Sequence, residues 1–282
     1  MLSTAKPMTR KGSQSFWSRI GLVIALLLIG SGTVPSIAAP PKSRTPTGWE
    51  VHFGADGIDP NRWVIAEGWA PGYIPSNHLG YYDPQNVTVE GGYLVMLLTQ
   101  ESGLVDNTPG IISRGGLIYT RGAYGYGTYE WRMRMSSTSS SPSGDGTGTS
   151  GSVSAGFIYV NNSETEIDME YSGHEPETLF LSSWFNRDPT TDPTGNDVTS
   201  VAVPAFGLNT EFRTYKFVWS KNRINFYINN VMQATITTDV PRAPAHFMIN
   251  HWGTNSPYFG GTATVGTPRY FYIDWVRYTP PR

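Results

Sequence analysis

From Trp49 onward, apolar residues recur at every second position in run after run, and no stretch of twelve residues carries a 3.6-residue period. In Thr128–Met135, Tyr129, Trp131, Met133 and Met135 fall on one side and Glu130, Arg132 and Arg134 on the other. Glu211–Trp219 and Arg223–Ile228 alternate in the same way. Asn229-Asn230 separates the second of these from Val231–Ile236, and two residues that tolerate positive φ predict a tight hairpin. Phe271–Tyr278 reads as a last strand, stopped by Pro280-Pro281. The 31 glycines and 21 prolines supply the turns. The pattern predicts an all-β chain of two antiparallel sheets, a sandwich or jelly roll. Without strand–helix alternation, a parallel α/β sheet is excluded.

The N-terminus follows a different rule. A region with Lys6, Arg10, Lys11 and Arg19 and no acid precedes the 11-residue apolar run Ile20–Gly30. Helix breakers and small residues follow, Ser31 to Ala39. This is the pattern of a secretory signal peptide over residues 1–38, cut after Ala38, with an uncleaved membrane anchor as the alternative. Residues 39–48 then form a linker and 49–282 the folded domain. The expectation is export, to the medium or a periplasm, with no membrane attachment once the signal is removed. Removing those four cations leaves 16 Lys and Arg against 22 acids, a net charge of −6. A mildly acidic domain argues against nucleic acid as a partner. There is no cysteine, which excludes disulfides and thiol chemistry. The five histidines lack His-Glu-x-x-His spacing, and no Gly-x-Ser-x-Gly elbow occurs. His174 reads as a surface turn residue. Ser136–Ser152 is a Ser/Gly tract and is predicted to be a mobile loop, either an insertion or a flap over a cleft.

Glu166-Ile167-Asp168-Met169-Glu170 carries the chemistry. On a strand, its three carboxylates share one face and repel one another. A solvated edge strand could tolerate that, and a charged exposed face is one reading. The spacing favours another. Cα atoms four residues apart on a strand lie roughly 13 Å apart, close enough for two leaning Glu side chains to bring their carboxyls to about 5–6 Å. Glycosidases that retain anomeric configuration hold their two carboxyls about 5–5.5 Å apart. Coupled carboxylates do not all ionise together, so one stays protonated beside an ionised nucleophile.

The stretch resembles glycoside hydrolase family 16, whose Glu-x-Asp-x-(x)-Glu motif lies on a jelly-roll strand. Four further stretches match in order: Tyr124–Glu130, Val153–Phe157, Phe217–Trp219 with Arg223–Tyr227, and Met248–Trp252 with Ile273–Tyr278. The resemblance runs from about Trp49 to Thr279. It implies a concanavalin-like β-jelly-roll sandwich and a retaining endo-β-glucanase, with Glu166 as nucleophile, Glu170 as acid/base and Asp168 as electrostatic assistant. The five-residue spacing is closer to the lichenase and xyloglucan-transglycosylase side of the family than to the laminarinase side. Trp184, Asn250 and Trp252 match cleft positions for substrate. Trp69, Tyr73 and Tyr258 lie in turn-rich segments that could rim the cleft. Trp184 in place of Tyr, and His251 in place of an apolar residue, depart from the pattern. No cofactor is implied for catalysis; a structural calcium on Asp274 and the Gly92 carbonyl is. The partner is a polysaccharide, the β-glucan class, and the protein is expected to be a monomer. A transglycosylase on the same site and a non-catalytic carbohydrate-binding sandwich are the alternatives. Asn86-Val-Thr88 and Asn161-Asn-Ser163 are glycosylation sequons, meaningful in a eukaryote.

Overall fold

The computed structural model describes residues 47–186 and 196–282. The expected signal peptide and the linker up to residue 46 lie outside the described residues. Seventeen strands run in chain order: β1 Trp49–His52, β2 Trp63–Ile65, β3 Gly68–Trp69, β4 His78–Tyr82, β5 Val87–Glu90, β6 Tyr93–Val105, β7 Thr108–Tyr124, β8 Gly127–Ser137, β9 Ser152–Val160, β10 Thr165–Ser172, β11 Thr178–Asn186, β12 Asn196–Pro204, β13 Arg213–Ser220, β14 Arg223–Ile228, β15 Val231–Ile236, β16 Ala245–Gly253 and β17 Arg269–Thr279. Among the described residues, helix is confined to one turn, α1 at Phe53–Asp56, and a 3-10 turn at Pro84–Asn86.

The strands pack as a sandwich. The front sheet runs β12-β11-β10-β9-β16-β7-β2, antiparallel throughout. The back sheet runs β15-β14-β13-β8-β17, and β17 is flanked on its other edge by β6 and β1. The far halves of the long β6–β7 hairpin leave the sandwich and join β4 and β3 in a small third layer. The alternation read from sequence drives this packing. Tyr129, Trp131, Met133 and Met135 of β8 are buried, facing Ile158, Ile167, Met169, Phe247 and Ile249 of the front sheet. Trp131 stacks on Phe247 with ring centres 4.4 Å apart. Gly156 of β9 makes room for that indole: a Cβ there would lie 2.9 Å from the Trp131 ring.

The hairpin at Asn229-Asn230 forms as predicted, with φ of 48° and 65°. The strand expected from Glu211 starts at Arg213, because Gly207–Glu211 is occupied by a turn. The Ser/Gly tract corrects the reading of a mobile loop. Ser136 and Ser137 belong to β8, Ser152 opens β9, and the segment between them wraps the buried Arg134. The guanidinium donates to the carbonyls of Asn209 (2.8 Å), Ser141 (3.0 Å) and Gly144 (2.7 Å). Thr138 and Thr147 close the base of the loop through backbone and side chain. A buried cation needs acceptors, and small residues let the backbone come close enough to provide them.

Candidate active site

Strand β10 is not an edge. β9 pairs along one side and β11 along the other, which overturns the reading of Glu166–Glu170 as a solvated edge. Ile167 and Met169 enter the core, which forces Glu166, Asp168 and Glu170 onto the outer face of the front sheet. Registers assign their neighbours. Glu170 lies in a row with Ala155, Asn250 and Leu117; Asp168 with Phe157, Met248 and Tyr119; Glu166 with Tyr159 and His246. On the other side, β11 places Trp184, Ser182 and Phe180 opposite the three acids. Most of the floor is apolar, a second cluster that includes Tyr82, Leu117, Ala155, Phe157, Met248 and Trp252.

Such a floor is a poor solvent for charge. Asp168 is 3% exposed, and its Oδ2 has no hydrogen-bond partner. Burial, then the charges of Glu166 and Glu170, push its carboxyl well above the ordinary range; the hydrogen-bonded Trp184 side chain pulls the other way. Glu170 is raised to about 8, first by burial and then by Glu166. Glu166 is raised to about 7 by burial, and here the Ser163 hydroxyl opposes the rise by donating to Oε2. The two Glu side chains keep some contact with solvent, so the shared proton can exchange. At neutral pH the trio holds protons that free carboxylates would have lost. Such a set can protonate a leaving oxygen from one Glu while another, ionised, attacks.

Trp184, Asn250 and Trp252 lie on this face of the front sheet. Trp184 is partly exposed beside Glu166. Asn250 is 5% exposed; its Nδ2 donates to the Tyr82 hydroxyl at 3.1 Å, and its Oδ1 has no partner. Trp252 is also 5% exposed and packs near Phe259, so it acts more as floor than as platform. Trp69, 61% exposed, pairs with Tyr81, whereas its neighbour Tyr82 turns to the Asn250 side; Trp69 therefore lies on the opposite face of β4 from Tyr82. Tyr73 donates to Asp106 Oδ2 at 2.7 Å on the surface. Tyr258 is exposed, as is His174, which meets Ser150 Oγ at 3.4 Å.

Asp274 and the Gly92 carbonyl, the expected calcium ligands, make other contacts in this structure. Asp274 Oδ2 is engaged by Arg132 Nε at 3.1 Å, and the Gly92 carbonyl is packed so tightly against Gly54 that a side chain there would collide with it. Among the described residues no cluster of three or more His, Cys, Asp or Glu could hold a metal.

Ser163, Tyr82, Tyr159 and His246 escaped the sequence reading. Each comes from a different element, and only strand registers bring them to the acids. Ser163 did leave a signal: Asn161-Asn162-Ser163 sits between two alternating runs, where a hairpin turn belongs.

The profile of Glycosyl hydrolases family 16 matches residues 76–277. A beta-glucanase of Brevibacillus brevis is 29% identical over 251 residues, which cover 85% of this chain and 85% of that protein. An endo-1,3-1,4-beta-glycanase of Rhizobium meliloti is 27% identical over 231 residues, 79% of this chain and 76% of that one. Among solved structures, a lichenase derived from a mouse hindgut metagenome superposes with a TM-score of 0.66 at 22% identity, over 83% of this chain and all of that one. The likeness in structure extends to the whole sandwich.

Proposed function

This chain belongs to glycosyl hydrolases family 16, and from that premise we propose that it is an exported endo-β-glucan hydrolase that retains anomeric configuration. The observation that carries the proposal is the placement of Glu166, Asp168 and Glu170 on one face of a strand that is paired on both sides. A pure carbohydrate binder gains nothing from three buried, mutually repelling carboxyls. Export rests on the basic and then apolar pattern of residues 1–38.

In this reading Glu166 attacks the anomeric carbon and the glycosidic bond breaks. Glu170 gives its proton to the departing sugar oxygen. A covalent glycosyl ester on Glu166 results. Glu170, now a carboxylate, takes a proton from water; the hydroxide displaces Glu166 from the opposite face, and Glu170 ends protonated as it began. Two inversions restore the β configuration, at the net cost of one water. The names of the endo-1,3-1,4-beta-glycanase relative and of the beta-1,3-1,4-glucanase structure support mixed β-1,3-1,4-glucan as substrate. If a sugar hydroxyl takes the place of water, the same site is a transglycosylase, and lengthened products would reveal it.

Azide distinguishes the roles of the two Glu residues. Glu170→Ala should lose at least about 10²-fold on lichenan. On a dinitrophenyl glycoside it should form the glycosyl-enzyme nearly normally, and azide should restore turnover and give the β-glycosyl azide. Glu166→Ala should form no intermediate and give the α-azide. Exchanged products would exchange the assignments. Full lichenan activity in both variants would end the hydrolase reading.

A further inference from the structure

The turn that leads into β10 is unusual. Four residues connect Val160 to Thr165, and three in succession have left-handed backbones: Asn161 (φ 43°), Asn162 (48°) and Ser163 (61°). Asparagine tolerates that region; serine gains nothing from it, and glycine would sit there at no steric cost. Ser163 is nevertheless 5% exposed and held at both its carbonyl and its hydroxyl. Its carbonyl accepts the backbone N–H of Asn186, at the end of β11, at 2.7 Å. The turn itself is closed by Glu164 N–H donating to the Asn161 carbonyl at 2.9 Å, and by Asn161 Nδ2 donating to Glu164 Oε2 at 3.1 Å. The Ser163 hydroxyl donates to Oε2 of Glu166. A strained residue at a functional group is an observation that calls for a function.

We propose that Ser163 is a positioning residue for the Glu166 carboxylate, fixing its Oε2 with a hydroxyl so that the other oxygen faces the anomeric carbon. This rests on the reading of Glu166 as nucleophile. A donor to the carboxylate stabilises its charged form, which is the form needed both to attack and to leave. The charged and titratable groups that share the surroundings of this carboxyl are Asp168 and Glu170 on its own strand, Tyr159 on β9, His246 on β16, Tyr82 on β4 and Glu164 in the turn. None of the other five is hydrogen-bonded to Oε2, and Glu164 is committed to Asn161.

Ser163→Gly removes the hydroxyl while suiting the backbone, so the fold should be kept or slightly stabilised. The acidic limb of kcat/KM on lichenan should move up by about one pH unit, a loss of about tenfold below the limb, with the plateau within about threefold of wild type. Ser163→Asn, a residue at home in left-handed backbone and able to donate from its amide, should return the limb most of the way. An unmoved limb, or an equal loss at every pH, overturns the inference. If Glu166→Ala keeps its activity on lichenan, the nucleophile reading has failed, and this inference falls with it.

Discussion

Glu170 illustrates how a site residue can work against the fold. Its ordinary value is 4.5, and burial beside Glu166 raises it to about 8. A carboxyl whose folded value is raised binds its proton more tightly in the native state. Its contribution to stability is therefore full below pH 4.5 and is lost as pH climbs to 8. Glu170→Gln removes that loss while preserving shape. The variant should be more stable than wild type at pH 8, by about 1–2 kcal/mol once the sharing of protons within the trio is allowed for. At pH 4 the two should be nearly equal. Urea denaturation at both pH values measures this, and a variant less stable at pH 8 would mean that the acids are well solvated.

At the scale of elements, two features hold the front sheet in place. The first is the loop that wraps Arg134. Arg134→Met would leave the carbonyls of Asn209, Ser141 and Gly144 buried without a donor. A loss of about 2–4 kcal/mol should follow, less than about 1–3 for each of three orphaned acceptors because opening of the loop returns some of them to water. Limited proteolysis should then cut between residues 138 and 147, where wild type resists. The second is the contact of β9 with the back sheet. Gly156→Ala presses a methyl group against the Trp131 ring and should cost about 1–3 kcal/mol. Ala155 and Phe157, the residues on either side, face the acids, so activity on lichenan should fall along with the thermal midpoint.

Across the whole molecule, His251 bridges the two sheets. It leaves β16 toward the core, where Nδ1 donates to the Met96 carbonyl at 2.9 Å and Nε2 accepts from Ser136 Oγ at 2.9 Å. Burial lowers its value from 6.5 to about 3. A histidine depressed in this way is neutral in the native state and charged in the unfolded chain below pH 6.5. Its contribution is present above 6.5 and is lost as pH falls toward 3, up to roughly 5 kcal/mol. His251→Leu should lose some stability at pH 7.5, because the Met96 carbonyl and the Ser136 hydroxyl lose their partner. Between pH 6 and 4 its unfolding free energy should fall less steeply than that of wild type. Equal slopes would place the acid sensitivity elsewhere.

Strand content, the Asn229-Asn230 hairpin and the identity of the three acids are local properties, and the sequence determined them. Period-2 burial has one regular solution, and two consecutive residues that tolerate positive φ make one kind of turn. The apolar partners Ile167 and Met169 dictate which way Glu166, Asp168 and Glu170 face, whatever the register. What lies beside them was a matter of register alone. Nothing local tells β10 that β9 and β11 will flank it, that Asn250 will reach its row from two strands away, or that Tyr82 will bond it from a third layer. The Ser/Gly tract was misread for the same reason. Its order comes from Arg134, a cation that looks like a surface residue in the alternating pattern of β8 until the chain closes over it. Burial of charge is settled by what the rest of the molecule brings to it, and only the tertiary structure supplies that.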